Sequence, residues 1–204
     1  MIIGVTGSIG AGKTTFSKFL NNAIRTLTNE NILLIDADEV AKNLISNSMQ
    51  KIDKEKHDSN SIAVKLIETF GAEIRMPNGT LNRTELAKRA FDTDVSAQAL
   101  NKIVHPAVIE KILSMTSDTG FYILDVPLLF ESGLNKECDK TITVTSEDFL
   151  RKERSGRFKD FDTRDSRQWR SEKKSMLSDY VAVNNGSLKE LEILAVEIAK
   201  KIVK

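Results

Sequence analysis

Five short runs of apolar and β-branched residues recur along the chain. They occupy residues 2–6, 32–35, 121–126, 141–145 and 180–183. Between these runs the apolar residues follow the period of a helix with one buried face, most clearly at Phe16, Phe19, Leu20, Ala23, Ile24 and Leu27. Short buried strands that alternate with helices are typical of a parallel sheet with right-handed crossovers. The pattern therefore predicts an α/β fold.

Polar residues mark where several helices begin. Asn82 followed by Glu85 predicts one helix start. Pro106 is expected at the first position of another helix, where its missing N–H costs nothing. Near the end of the chain, Ser187 and Glu190 have the spacing of a capping box.

Two stretches do not fit the sheet and predict additions to a single domain. Residues 39–115 are mostly helical and too long for one crossover, which predicts an inserted helical lobe. Within it, the polar residues 48–61 predict a mobile loop. Residues 150–174 hold ten Lys or Arg against five Asp or Glu, a net charge of +5, and resemble a helical hairpin. The core would then comprise residues 1–38, 116–149 and 175–204.

Composition narrows the class of protein. The 204 residues are 40% apolar, enough for a sizeable core. The net charge of +1 argues against a general binder of nucleic acid or membrane surfaces. The single cysteine, Cys138, excludes an intrachain disulfide and fits a reducing compartment. With no signal-peptide pattern and no apolar stretch near the roughly twenty residues of a membrane span, a cytoplasmic protein is expected.

The first apolar run leads directly into a phosphate-binding pattern. Residues 7–14 read G-S-I-G-A-G-K-T, the G-x-x-x-x-G-K-[ST] motif between a strand and a helix. Glycines let the backbone approach a polyphosphate, and the helix start presents partial positive charge to it. Lys13 adds a full charge near the β- and γ-phosphates, and the Thr14 hydroxyl can ligate Mg²⁺. The predicted phosphate-binding residues are Gly7, Gly10, Ala11, Gly12, Lys13, Thr14 and Thr15. The alternative is a glycine turn with a surface lysine.

Acidic residues follow two further strands. Asp36 and Asp38 come after the second run, where a kinase needs a carboxylate to orient an alcohol and accept its proton. The alternative is that both cap the next helix. Asp125 lies near the end of the third run, where an acid can hold Mg²⁺ directly or through water. Its alternative role is a hydrogen bond to a neighbouring loop.

The basic segment 150–174 offers arginines for the charge that develops on a transferring phosphoryl group. A planar guanidinium on a closing lid suits this task better than lysine does. Arg154 is the predicted contact of the γ-phosphate, and Arg157 is the second choice. For most of these cations the alternative is a solvated helix face.

Six motifs in this order resemble the dephospho-CoA kinase family. They are T-G-x-I-G-x-G-K-T-T at 6–15, I-D-A-D at 35–38, N-G-T-L-N-R at 78–83, L-N-x-I-V-H-P at 100–106, D-V-P-L-L-F-E at 125–131 and S-D-Y-V-x-x-N-N-G-S at 178–187. The resemblance implies a P-loop NTPase fold with a five-stranded parallel sheet flanked by helices, a helical CoA-binding lobe at 39–115 and a helical lid at 150–174. It implies transfer of the γ-phosphoryl group of ATP to the ribose 3′-hydroxyl of dephospho-CoA, with Mg²⁺.

The same resemblance assigns roles to individual residues. Asp38 matches the catalytic aspartate and Asp36 its companion acid, and the family motifs place Arg83 and His105 with the substrate. Lys13, Asp38 and Arg154 form the expected catalytic set. The chain departs from the family at Lys152, where an arginine is expected.

Two other functions remain open on the residues alone. One is a P-loop kinase for another small alcohol or nucleotide, and the other is a non-catalytic ATP-binding switch. The expected partners are dephospho-CoA and ATP, with neither nucleic acid nor membrane, and a monomer is expected rather than an oligomer.

Overall fold

A computed structural model describes residues 1–51, 61–117, 119–156 and 161–204 of the chain. These residues divide into two compact units. The first unit comprises Met1–Asp36 and Thr116–Lys204, and the second comprises Ala37–Met115. The lid and CoA-binding roles expected for residues 150–174 and 39–115 stay predictions.

The first unit is built on a five-stranded parallel sheet, as the apolar runs predict. Its strands are β1 (Ile2–Gly7), β2 (Ile32–Asp36), β3 (Phe121–Asp125), β4 (Lys140–Thr145) and β5 (Tyr180–Val183). Their spatial order is β2-β3-β1-β4-β5, and every pairing is parallel. Because β1 lies in the middle and is covered on both faces, Ile3 and Val5 are fully buried.

Two long helices cover one face of this sheet. They are α1 (Lys13–Thr28), which follows β1, and α9 (Leu188–Ile202), which ends the chain. Phe16, Leu20 and Ile24 of α1 are fully buried in the core, as the helical period predicts. Leu27 departs from that prediction and is 43% exposed, because it lies in the last turn of α1, just before the left-handed Asn29 ends the helix. At α9 the capping box of Ser187 and Glu190 is present, with both of its hydrogen bonds.

The second unit is helical. Its helices are α2 (Ala37–Lys51), α3 (Ile62–Phe70), α4 (Arg83–Ala90) and α5 (Asp94–Ser114). The predicted start of α4 is confirmed: Asn82 Oδ1 accepts the Glu85 amide at 3.1 Å. The longest helix, α5, packs against the other three, so it forms the centre of this unit.

Two predictions in the second unit need correction. Pro106 does not begin a helix but lies inside α5, which starts at Asp94 after its cap Thr93. The buried side chains on either side of the proline, Val104 and Val108, hold the helix against its neighbours, and this packing outweighs the lost hydrogen bond. Residues 48–51, which were expected in a mobile loop, belong instead to α2. Residues 52–60 lie outside the described part of the chain.

Three short helices occupy the basic segment of the first unit. They are α6 (Asp148–Arg154), α7 (Phe161–Ser166) and α8 (Ser171–Leu177). The second-choice arginine, Arg157, lies outside the described residues. Across the ranges that are described, no helix is both long and apolar enough to cross a membrane.

Candidate active site

The phosphate-binding motif forms the turn between β1 and α1. Gly10 and Gly12 have φ angles of 76° and 92°, in the left-handed region that favours glycine. Neighbouring groups also exclude a side chain. A Cβ at Gly10 would overlap the backbone oxygen of Arg151, and one at Gly12 would overlap the side-chain amide of Asn184. Both the conformation and the packing of the turn therefore require these glycines.

Lys13 forms an ion pair with Asp125. Lys13 is the first residue of helix α1. Asp125 is the last residue of strand β3, which is next to β1 in the sheet. Both side chains are largely buried, with 13% and 3% exposed. Apart from this ion pair, Asp125 Oδ1 is buried and accepts no hydrogen bond from the residues the structure describes. An anionic oxygen in this position suits a bound cation as well as it suits the lysine.

A second aspartate stands beside Asp125. Asp36 ends β2 and is its direct neighbour across the β2–β3 ladder, so the two residues lie on adjacent strands at the carboxyl edge of the sheet. Thr14, in the first turn of α1, is exposed. The first unit therefore brings Lys13 and Asp125 together, with Asp36 next to Asp125.

Groups from outside the motif hold the phosphate-binding turn in place. Arg151 Nε donates to the Ile9 carbonyl at 3.0 Å, and Asn184 Nδ2 donates to the Ala11 carbonyl at 2.8 Å. The Ser8 hydroxyl meets the Ser171 hydroxyl at 2.9 Å. Our interpretation of the sequence did not find these supports. Asn184 could have been predicted from the sequence, because it directly follows β5 and so has a position similar to that of Asp125 at the end of β3. Nothing in the local sequence distinguishes Arg151 from the other arginines of its segment.

Arg154 lies near this turn. Its guanidinium donates to the Asn184 carbonyl and to the Ser146 hydroxyl, each at 3.0 Å. Because the side chain of the same Asn184 bonds Ala11, Arg154 is linked to the phosphate-binding turn through one residue. Arg151 makes the more direct contact and is only 5% exposed, with Asp148 and Asp165 as its anionic partners.

The remaining predicted residues belong to the second unit. Asp38 is exposed in the first turn of α2, where a carboxylate interacts favourably with the helix dipole. It lies inside the helix rather than at a capping position. Arg83 begins α4 and donates to the Ser46 hydroxyl of α2 at 3.1 Å. His105 is half-buried within α5.

Comparison with known proteins gives consistent matches. Residues 1–190 match the family model described as "CoaE: Dephospho-CoA kinase". A curated dephospho-CoA kinase of Geobacillus kaustophilus is 30% identical over 98% of this chain and 96% of its own length. One from Fusobacterium nucleatum is 36% identical over 72% of this chain and 67% of its own.

Solved structures agree on the fold. The crystal structure of TT1252 from Thermus thermophilus matches with a TM-score of 0.71 and 26% identity, over 100% of this chain and 98% of that one. A dephospho-CoA kinase from Campylobacter jejuni matches with a TM-score of 0.64 and 20% identity, over 98% and 96%. With a family model that spans nearly the whole sequence and a P-loop whose lysine pairs with a buried strand-end aspartate, this chain belongs to the dephospho-CoA kinase family.

Proposed function

We propose that this chain carries out the reaction of its family, with the individual roles assigned below to its own residues. It is an ATP-dependent kinase that transfers the γ-phosphoryl group of ATP to the ribose 3′-hydroxyl of dephospho-CoA and yields coenzyme A and ADP. The observation that carries the role assignments is the glycine turn at the edge of the parallel sheet, with Lys13 paired to the buried Asp125.

The donor phosphates are assigned to the turn between β1 and α1. The backbone of Gly7, Gly10, Ala11 and Gly12, followed by Lys13, Thr14 and Thr15, would surround them. Support comes from the left-handed glycines and from the start of a 16-residue helix at this point. Backbone amides at a helix start attract anions, and Lys13 adds a full positive charge that would move from Asp125 towards the phosphates.

Mg²⁺ is assigned to Thr14 and Asp125, with Asp125 acting directly or through water. Both side chains offer hard oxygen atoms, and Mg²⁺ beside a nucleotide usually takes only one or two protein ligands besides phosphate oxygens. The buried Asp125 Oδ1, which is paired with the Lys13 ammonium, supports the fit. When bound, the ion would neutralise charge between the β- and γ-phosphates.

The acceptor hydroxyl is assigned to Asp38 as the general base, with Asp36 as the companion acid. Arg83 and His105 are assigned to binding of dephospho-CoA. Support comes from the motifs in which these residues stand and from the exposure of the Asp38 side chain to solvent, where an acceptor can reach it.

Arg154 is assigned to the γ-phosphate during transfer. Its bond to the Asn184 carbonyl, beside the phosphate-binding turn, supports this role. Arginine suits a transition state that spreads negative charge over several oxygens.

We also assign this chain to the cytoplasm as a monomer that needs neither nucleic acid nor membrane. A net charge of +1 and a single cysteine support the assignment. Size-exclusion chromatography with light scattering tests the oligomeric state.

The decisive experiment is an acceptor panel. Purified protein with Mg·ATP is given dephospho-CoA, shikimate, gluconate and nucleoside monophosphates, and products are identified by mass spectrometry. We expect one phosphoryl group to be added to dephospho-CoA alone, at the 3′ position assigned by phosphorus NMR. A product only from another acceptor would contradict the substrate, and ATP binding with no product from any acceptor would favour a non-catalytic switch.

A further inference from the structure

One lysine of the basic segment is completely buried. Lys174, in α8, has no exposed surface, whereas its neighbour Lys173 is exposed. Placing an ammonium group in the interior is unfavourable unless hydrogen bonds and an opposite charge offset the loss of water. Burial lowers the pKa of Lys174, and the nearby Glu131 opposes that shift. The contacts that offset this loss of water therefore identify the part of the structure that Lys174 stabilises.

The ammonium group of Lys174 contacts the turn that follows β3. Its Nζ donates to the Pro127 carbonyl at 2.6 Å and forms an ion pair with Glu131 Oε1 at 3.0 Å. Glu131 Oε1 also accepts the backbone amide of Trp169 at 2.8 Å. The ammonium group of Lys174 therefore has two partners in this turn.

The same turn is tied to the strand that leads into the phosphate-binding motif. The Pro127 carbonyl accepts a second hydrogen bond, from the buried Thr6 hydroxyl at 3.1 Å. The Val126 amide donates to the Val5 carbonyl at 2.9 Å. One carbonyl oxygen therefore joins α8, the end of β1 and the turn after β3.

This junction lies two residues from Asp125. Pro127 has a fixed φ angle, and Val126, the one residue between it and Asp125, donates its amide to the Val5 carbonyl, so a restrained backbone joins the turn to the end of β3. A second contact from the same helix, between Ser171 and Ser8, reaches the phosphate-binding turn itself. The contacts of Lys174 and Ser171 therefore join α8 to the two segments that carry the groups assigned to the metal and the phosphates.

We infer that Lys174 is a positioning residue: by holding the Pro127 carbonyl and Glu131, it fixes the Asp125 carboxylate where it can serve bound Mg²⁺. The inference rests on the proposed role of Asp125 but not on the identity of the acceptor. A positioning role and a purely structural role predict different results for nucleotide binding. Loss of Lys174 should weaken the contribution of Mg²⁺ to nucleotide binding and leave metal-free nucleotide binding intact.

Calorimetric titration with a non-hydrolysable ATP analogue, with and without Mg²⁺, tests this directly. The ratio of the two affinities measures the gain that the metal provides. For Lys174→Met we expect this gain to fall by about tenfold, as is usual when a partner that orients a metal ligand is lost. Metal-free affinity, binding stoichiometry and the affinity for dephospho-CoA should stay at wild-type values. Lys173→Met, the adjacent exposed lysine, is the matched control and should keep the full gain.

The inference is overturned if Lys174→Met keeps the wild-type gain, or if stoichiometry and metal-free affinity fall while the gain is unchanged. A wild-type protein without any gain from Mg²⁺ would overturn it as well. If Lys174→Met does not fold, Glu131→Gln takes its place, with the same expected loss and the same contrary result. Because no acceptor is present, failure to phosphorylate dephospho-CoA would refute the proposed function and leave this measurement standing.

Discussion

The carboxyl and amino ends of the strands form two edges of the sheet, and polar side chains make different contacts at each. At the carboxyl edge, the buried side chains of Asp125 and Asn184 lie beside the phosphate-binding turn. At the amino edge, Asp139 Oδ2 accepts the Ile2 amide at 2.7 Å, and Asp179 Oδ2 accepts the amide and hydroxyl of Thr141, each at 2.8 Å.

The difference lies in what these groups bind. Strand ends expose backbone groups that need partners, and the acidic residues of the amino edge provide them within the chain. The carboxyl edge instead brings together a lysine, a buried carboxylate and a helix start at the place where parallel sheets generally bind ligands. Substitutions at the carboxyl edge should therefore abolish activity, and those at the amino edge should change stability alone.

The largest expected effect is that of Lys13→Met. Removing the charge proposed to face the β- and γ-phosphates should lower kcat/KM by about a thousandfold, measured with a coupled ADP assay. The substitution also leaves Asp125 without its cation, so the melting temperature should be recorded with and without Mg·ATP. Activity close to wild type would break the proposed division between the edges.

Asp38→Asn should come next. Loss of the proposed base should lower kcat by roughly a hundredfold or more, with little change in melting temperature, because the side chain is exposed. Glu39→Gln is the matched control, since Glu39 is the other acid in the first turn of α2. Equal losses in both variants would remove Asp38 from the role of base.

Gly10→Ala separates steric overlap from backbone strain. A left-handed φ costs alanine about 1 kcal/mol, and overlap with the Arg151 backbone and the Ser155 hydroxyl should add about 1–3 kcal/mol. Gly133→Ala is the control. Gly133 has a φ of 80°, but among the described residues other than its chain neighbours no atom lies within 4 Å of the place that an added methyl group would take. Urea unfolding should therefore show a larger loss of free energy for Gly10→Ala. Equal losses would mean that the turn relaxes away from α6.

The smallest effect is expected at the amino edge, with Asp179→Asn. Burial raises the pKa of Asp179, but hydrogen bonds from the Thr141 hydroxyl and amide and the charge of Lys140 outweigh it, so the pKa is lowered. A lowered pKa in the folded state stabilises the fold above the unfolded pKa, and this stabilisation is lost as the pH falls through the folded value.

The pH dependence follows from that sign. At neutral pH the Asp179→Asn variant should melt at a lower temperature than wild type, and the difference should close as the solution is acidified below about pH 4. Turnover at a temperature well below melting should stay unchanged. A difference in melting temperature that is independent of pH would contradict the role of the ionised carboxylate.

Local patterns were enough to predict the sheet and the starts of α1, α4 and α9. Strands buried on both faces form continuous apolar runs, and β1 and β3 show this directly. Asn82 and Ser187 cap their helices as predicted because a cap is satisfied by residues three positions away. Pro106 is the exception, because α5 continues past it. Val104 and Val108 are buried on either side of the proline, and this packing cannot be predicted from the local sequence.

By itself the sequence determined the strands, the phosphate-binding turn and the acids that follow the strand ends, because each depends on neighbours only a few positions away. Only the tertiary structure decided which cations of the basic segment are buried. Arg151 and Lys174 have the same local chemistry as the exposed residues around them, yet one contacts the Ile9 carbonyl and the other the Pro127 carbonyl. Those partners lie far away along the chain, so the choice is made by packing and desolvation across the folded unit.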